Sequence, residues 1–392
     1  MRTHALPPQR RTLTVTALLA AMLVPLGLFS PPAAADIRPD QQWYLDAMKA
    51  SELWKVSKGE GVTVAVLDSG VNPTPGLKGK LLPGKSFASA DPDAHEDESG
   101  HGTDMAALIA GSGAGDTLRG LAPAAKILPL RTHVTDGLFS DHDTLVEAIQ
   151  YAARSEAKII NISQNLTGVD NETLAELQDA IDEANERGKL VFAGSGNDGR
   201  RAKHDYPSVL PGVVAVGAVD KTGTVADFSN YGPHLALTAP GDPGGTSVAT
   251  AIASASAALI WSKHPDWTNH QVLRVMIETT GMSERGEEPS MYLGHGIVRP
   301  GQVLIDGDGD PGPADESPLF SRYFASLDAS KSPSPATGSE DAKNPDAAEK
   351  EQTAAGKESG SDGLPWVPIG IGAAVLVVAA GGAVFLVRRR QA

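Results

Sequence analysis

Short apolar runs alternate with longer amphipathic stretches through the middle of the chain. The short runs are rich in Val, Ile, Leu and Ala and predict buried strands at residues 62–67, 126–130, 158–162, 189–193 and 213–219. The longer stretches carry apolar residues at helical spacing or are apolar throughout, and they predict helices at residues 103–109, 142–154, 171–187, 246–261 and 268–280. This alternation predicts an α/β fold with a mostly parallel, doubly wound sheet.

The N-terminal 35 residues have the pattern of a secretory signal peptide. A basic start is followed by an apolar run at residues 13–28 and by the small residues Ala33-Ala34-Ala35. An uncleaved anchor helix is the alternative. Pro31-Pro32 and the small residues favour cleavage, so we expect residues 1–35 to be removed.

The C-terminus predicts one transmembrane helix. Residues 365–387 form an uncharged stretch of 23 residues, which is long enough to cross a bilayer. Three arginines follow, so residues 388–392 are predicted to be a cytoplasmic basic tail. A buried core helix is the alternative, but the polar segment before this stretch favours a membrane span.

Two segments flank the predicted folded body at residues 61–306. Residues 307–364 are rich in Pro, Ser, Ala, Asp and Glu, and predict a disordered linker. The acids at 306, 308 and 310 alternate as in a calcium loop, but Pro311 and Ser317 occupy its sixth and twelfth positions, so we interpret them as linker acids. Residues 36–60 predict an amphipathic N-terminal wrap, with apolar side chains at Trp43, Leu45, Met48, Leu53 and Trp54.

Charge and cysteine content narrow the possible functions. The net charge is −15, and residues 36–364 hold 27 basic against 48 acidic residues, a net charge of −21. Such an acidic body argues against binding nucleic acid or anionic lipid as its main task, so no nucleic-acid partner is expected. The chain has no cysteine, which excludes disulfides, cysteine nucleophiles and thiolate metal sites.

Three chemically distinctive residues stand at the junctions of predicted elements. Asp68 ends a predicted strand, His101 lies between two glycines before a helix, and Ser247 opens a long apolar helix. Taken singly, a turn-capping Asp, a surface-loop His and a helix N-cap Ser are the alternatives. Together they have the order Asp, His, Ser of one known catalytic triad arrangement.

The segments around these residues resemble the subtilisin-type serine proteases, the subtilases. They are VAVLDSGV at 64–71, SGHGTDMAALIAG at 99–111 and GGTSVATA at 244–251, with NISQN at 161–165 and FAGSGNDG at 192–199. The resemblance implies a subtilisin-like three-layer fold and a serine endopeptidase that cleaves extended protein or peptide substrates through an acyl-enzyme.

The resemblance also implies a role for each matching residue. Ser247 is then the nucleophile, His101 the general acid and base, Asp68 the orienting carboxylate, and Asn197 the oxyanion donor. The expected substrate-binding residues are Ser163, Gln164, Asn165, Gly194 and Gly196. Gln164 stands where the family often has an apolar residue, and Val248 and Ala251 replace the usual Met and Pro. No metal ligand is identified. Many subtilases bind calcium, but no loop here identifies a site.

The segment QQWYLDAMKASELWKVSKGEGVTVAVLDSGV at 41–71 resembles the start of mycosins, membrane-anchored subtilases of type VII secretion systems. The order of signal peptide, protease body, Pro-rich linker, C-terminal span and basic tail also resembles theirs. This implies a single-pass protein whose catalytic domain lies outside the cell membrane, with secretion components as partners. Mycosins commonly carry disulfides, and this chain departs from them by having no cysteine. Two other functions stay open, namely a non-catalytic scaffold of a membrane complex and a general degradative subtilase.

Overall fold

The computed structural model describes residues 41–88, 93–134, 142–199, 201–202, 205–281 and 289–331. Its centre is a sheet of seven strands in the order β2-β3-β1-β4-β5-β6-β7, with every neighbouring pair parallel. The strands are β1 Thr63–Asp68, β2 Lys85–Ser86, β3 Lys126–Arg131, β4 Ile159–Ile162, β5 Leu190–Gly194, β6 Val213–Val219 and β7 Leu235–Pro240. The parallel α/β fold is confirmed.

Helices cover both faces of this sheet. They are α1 Trp43–Ala47, α2 Ala50–Val56, α3 His101–Ala110, α4 His142–Arg154, α5 Asn171–Glu186, α6 Gly245–Lys263, α7 Asn269–Glu278 and α8 Ser321–Lys331. One buried cluster joins Val64 and Val66 of β1 to α3, α6 and α7. A second joins Ala65 and Leu67 of β1 to α4 and α5. Successive residues of β1 face opposite layers, which explains why this strand is apolar throughout.

The sequence pattern did not single out two of the strands. β2 has only two residues, and its partly exposed Lys85 and Ser86 give no apolar signal. β7 lies at the other edge of the sheet and ends in Pro240. Proline is tolerated at such an edge because it has no backbone N–H for a further pairing partner.

Within the described residues, α6 alone is long and apolar enough to cross a membrane. The apolar stretch of this helix is 94% buried inside the protein. α6 packs against β1, β4, β5, β6 and β7, so its hydrophobicity fits a central core helix. The predicted signal peptide at residues 1–35 and the predicted membrane span at residues 365–387 lie outside the described residues.

The segment expected to wrap the body lies against it as α1 and α2. Leu53 is fully buried in the cluster that also contains α6. The indole N–H groups of Trp43 and Trp54 donate to the carbonyl oxygens of Asp242 and Leu121, each at 2.8 Å. Both tryptophans therefore combine apolar packing with a satisfied polar group.

The structure differs from the sequence expectation after residue 306. Residues 307–331 are folded onto the body, although we expected a disordered linker from residue 307. Arg274 on α7 donates to the carbonyl oxygen of Glu316 at 2.7 Å. The hydroxyl of Tyr323 on α8 donates to Asp182 on α5, also at 2.7 Å.

Apolar side chains explain this additional folded segment. Leu319 packs against the main core cluster, and Phe320 and Tyr323 make edge contacts with Phe324. The Pro- and Asp-rich composition around residues 306–316 concealed these side chains, of which Leu319 and Phe320 immediately precede α8 and Tyr323 and Phe324 lie in its first turn.

Candidate active site

Asp68 and His101 are brought together by the ends of β1 and α3. His101 Nδ1 lies 2.7 Å from Asp68 Oδ1. Gly102 permits this approach, because a Cβ there would overlap the carbonyl oxygen of Gly70 and lie 3.0 Å from Asp68 Cβ. The glycine after the histidine therefore allows the close backbone approach that glycines on both sides of a histidine predict.

Asp68 is completely buried, and its ionisation is balanced by its neighbours. Burial is the largest influence and opposes the charge. The attraction of His101, the hydrogen bond with it, the nearby His133 and the N–H of Ser69 nevertheless hold the pKa of Asp68 below its usual value of 3.8. The carboxylate is therefore available to orient an imidazole and to stabilise its protonated form.

A second buried carboxylate, Asp97, organises the loop before α3. Its Oδ1 accepts hydrogen bonds from Ser69 Oγ at 2.8 Å and from the N–H of Gly100 at 2.9 Å. Its Oδ2 accepts from the N–H and the hydroxyl of Thr103 at 2.8 and 2.6 Å. Ser69 Oγ lies 3.2 Å from Asp68 Oδ1, so Asp97 is linked to the Asp68–His101 pair through one hydroxyl.

Ser247 lies in the first turn of α6, two residues after the helix begins. Its side-chain hydroxyl donates to the carbonyl oxygen of Ser163 at 3.2 Å. The helix itself packs against α3, which carries His101. The N-terminus of a helix favours negative charge, so this position suits a hydroxyl on which charge develops during acyl transfer.

Asn197 is held beside the same helix end. Its Oδ1 accepts hydrogen bonds from the N–H and the hydroxyl of Thr246, at 2.9 and 3.1 Å. The hydroxyl of Thr246 also accepts from the N–H of Gly196 at 3.2 Å. Since the amide oxygen is engaged on one side, the amide nitrogen of Asn197 is directed away from Thr246 as a fixed donor.

The expected substrate-binding residues form two segments beyond the ends of the neighbouring strands β4 and β5. Ser163, Gln164 and Asn165 follow β4, while Gly194 ends β5 and Gly196 lies just beyond it. The Gln164 side chain turns towards the end of β3, where its Oε1 accepts from Thr132 Oγ1 at 2.9 Å.

Four residues around the site were not recognised from the sequence. They are Asp97, Thr246, Asp205 and Asn230. Thr246 could have been identified from the sequence, because it immediately precedes Ser247 in the motif. Asn230 lies in FSNYGP at 228–233, a segment that also resembles the family but to which no role was assigned. Asp97 and Asp205 carry no distinctive spacing and are joined to the site by folding. Across the described ranges, no group of three or more His, Asp or Glu side chains is arranged to hold a metal ion.

The fold and the arrangement of these residues define a subtilase. The Subtilase family model matches residues 59–296, so the chain belongs to this family and is a serine endopeptidase. The chain is also 34% identical over 258 residues to the thermostable alkaline protease of Halalkalibacterium halodurans, an alignment that covers 62% of this chain and 68% of that protein.

Mycosins are among the solved structures that this chain resembles. MycP1 from Mycobacterium smegmatis superposes with a TM-score of 0.61 at 26% identity, covering 72% of this chain and 88% of that one. MycP3 protease from the type VII (ESX-3) secretion system gives a TM-score of 0.58 at 30% identity, covering 71% and 90%.

Proposed function

We propose that this subtilase cleaves extended peptide segments through a triad of Asp68, His101 and Ser247. The observation that carries the proposal is the 2.7 Å contact between His101 Nδ1 and the buried Asp68 at the end of β1. Ser247 lies at the same end of the parallel strands, because its hydroxyl contacts Ser163 just beyond the neighbouring β4. This contact fixes which imidazole nitrogen faces the carboxylate, and leaves the other to exchange a proton with the serine.

The reaction is acyl transfer to Ser247 followed by hydrolysis. Ser247 Oγ attacks the peptide carbonyl carbon while His101 takes the hydroxyl proton, then returns it to the departing amine. In the second half, a water molecule attacks the acyl carbon while His101 takes its proton, and His101 gives that proton to Ser247 Oγ as the ester bond breaks. Asn197 Nδ2 and the N-terminal N–H groups of α6 stabilise the oxyanion of each tetrahedral intermediate. Residues 163–165 pair with the extended substrate backbone.

We further propose that the enzyme is tethered outside the cell membrane and works with a type VII secretion apparatus. The predicted signal peptide and C-terminal span support the tether. The likeness to MycP1 and MycP3, whose structures are described as secretion-system proteases, supports the association.

A serine-directed fluorophosphonate probe tests the proposed chemistry. The full chain should be labelled, and Ser247→Ala should abolish the label while leaving the thermal unfolding curve unchanged. Ser262→Ala is the matched control, because Ser262 lies at the other end of the same helix and should not affect labelling. A folded wild-type protein that takes up no label would contradict the catalytic proposal and favour a scaffold.

A further inference from the structure

Asn165 spans the gap between the two substrate-binding segments, where the family resemblance places the pocket for a substrate side chain. Its amide nitrogen donates to the carbonyl oxygen of Gln164 in its own segment, and to that of Gly194 in the facing segment, both at 3.1 Å. This amide orientation is assigned from its two acceptors, since the opposite one would set oxygen against oxygen. The side chain therefore bridges the two walls between which a substrate side chain would enter.

Polar side chains pack behind Gly196. Gly196 has φ +104°, and a Cβ on it would overlap Asp205 Oδ2 and Asn230 Nδ2. The Asn165 amide lies 3.1 Å from the same Cβ position. Asn230 Nδ2 also donates to Asp205 Oδ2 at 3.0 Å, and both side chains are buried. The two side chains are thus held in place behind Gly196.

The Asn165 segment is also tied by the backbone to the residues behind Gly196. The N–H of Leu166, next to Asn165, donates to the carbonyl oxygen of Tyr206 at 2.7 Å. Tyr206 follows Asp205 directly, so the Asn165 segment and the residues behind Gly196 are joined in one bonded unit. Widening the pocket would require this unit to come apart, and a side chain entering it meets a fixed obstacle.

We propose that Asn165 restricts the residue on the acyl side of the cleaved bond to Gly, Ala or Ser. The proposal rests on the proposed function, because it concerns the specificity pocket of that same site. A larger side chain would have to displace the Asn165 amide and leave the carbonyl oxygens of Gln164 and Gly194 without this donor. A methyl or hydroxymethyl group avoids that displacement, so specificity arises from exclusion of large side chains.

A peptide series that varies only the residue before the cleaved bond tests this role. The full chain in detergent is assayed with Ala, Ser, Leu and Phe at that position, beside Asn165→Ala. We expect the wild type to cleave the Ala peptide at least about tenfold better in kcat/KM than the Leu or Phe peptide. Asn165→Ala should raise the Leu-to-Ala and Phe-to-Ala ratios by about tenfold or more. Asn171→Ala, at an exposed position on α5, should leave both ratios unchanged.

A binding measurement separates this inference from catalysis. In the Ser247→Ala background, the Ala peptide should bind more tightly than the Phe peptide by fluorescence anisotropy, and Asn165→Ala should remove or reverse that order. Wild-type protein that accepts Phe as well as Ala, or ratios that Asn165→Ala does not move, would overturn the proposal. If the probe does not label the wild type but the peptides bind in the expected order, the catalytic function is contradicted. The proposal that Asn165 excludes large side chains would still hold.

Discussion

Thr103 donates two hydrogen bonds to the Asp97 carboxylate, from its backbone N–H at 2.8 Å and from its hydroxyl at 2.6 Å. Because Thr103 lies in the first turn of α3 and His101 begins that helix, Asp97 fixes the helix end from which the imidazole projects. The same carboxylate holds Ser69, which contacts Asp68. Asp97 is thus a positioning residue for both Asp68 and His101.

We expect Asp97→Asn to lower kcat by about tenfold with little change in KM, because the substitution disturbs the Asp68–His101 pair and leaves the substrate-binding segments in place. Glu176→Gln removes one exposed charge on α5 and is the control. An unchanged kcat, or a change confined to KM, would contradict the positioning role of Asp97.

The lowered pKa of Asp68 predicts acid-dependent stability. A carboxyl group whose pKa is lower in the folded state stabilises the fold above its ordinary pKa of 3.8, and this contribution disappears as pH falls through the folded pKa. The thermal unfolding temperature of Ser247→Ala should therefore fall below about pH 4. Adding Asp68→Asn should make that decline shallower. Parallel curves for the two proteins would contradict the assignment.

Asn197→Ala should remove a donor that acts on the transition state. In this family the loss of one oxyanion donor costs about 10²–10³ in kcat, and KM should change little. Thr246→Val is the graded comparison, since it leaves Asn197 in place and removes the hydroxyl that contacts its Oδ1 at 3.1 Å. Steady-state kinetics should rank the loss from Asn197→Ala above that from Thr246→Val; the reverse order would exclude Asn197 as the principal donor.

The N-terminal wrap should contribute to the stability of the catalytic body. Leu53 on α2 is fully buried, so Leu53→Ala should lower the free energy of unfolding by about 2–5 kcal/mol. Val56 in the same helix is 36% exposed, and Val56→Ala should cost much less. Denaturant titrations of both variants in the Ser247→Ala background measure the difference. Equal, small losses would mean that α2 is not part of the cooperative fold.

The docking of α8 should depend on the Tyr323–Asp182 hydrogen bond. Burial raises the pKa of Asp182, although the hydrogen bonds from Tyr323 and Gln178 partly counter this effect. Tyr323→Phe should lower the free energy of local opening of α8 by about 2 kcal/mol. Limited proteolysis should then cut residues 321–331 faster, whereas Arg322→Ala at an exposed neighbouring position should not change the rate. Unchanged cleavage in Tyr323→Phe would mean that other contacts hold α8.

The sequence predicted the parallel α/β fold because buried strands and amphipathic helices each leave a local periodicity. It also marked Asp68, His101 and Ser247, since each stands at a strand end or a helix start. It failed at β2, which is too short to show a pattern, and at residues 307–331, where Pro and Asp outweighed a few apolar side chains.

Local pattern determined most of the buried strands and helices and the residue types that stand at their ends. Tertiary structure decided which distant side chains meet. The bonds from Thr246 to Asn197, from Asn165 to Gly194 and from Asn230 to Asp205 each join different segments. Burial makes such contacts specific, because a polar group removed from water must find a partner in the fold, and no local periodicity records which partner it finds.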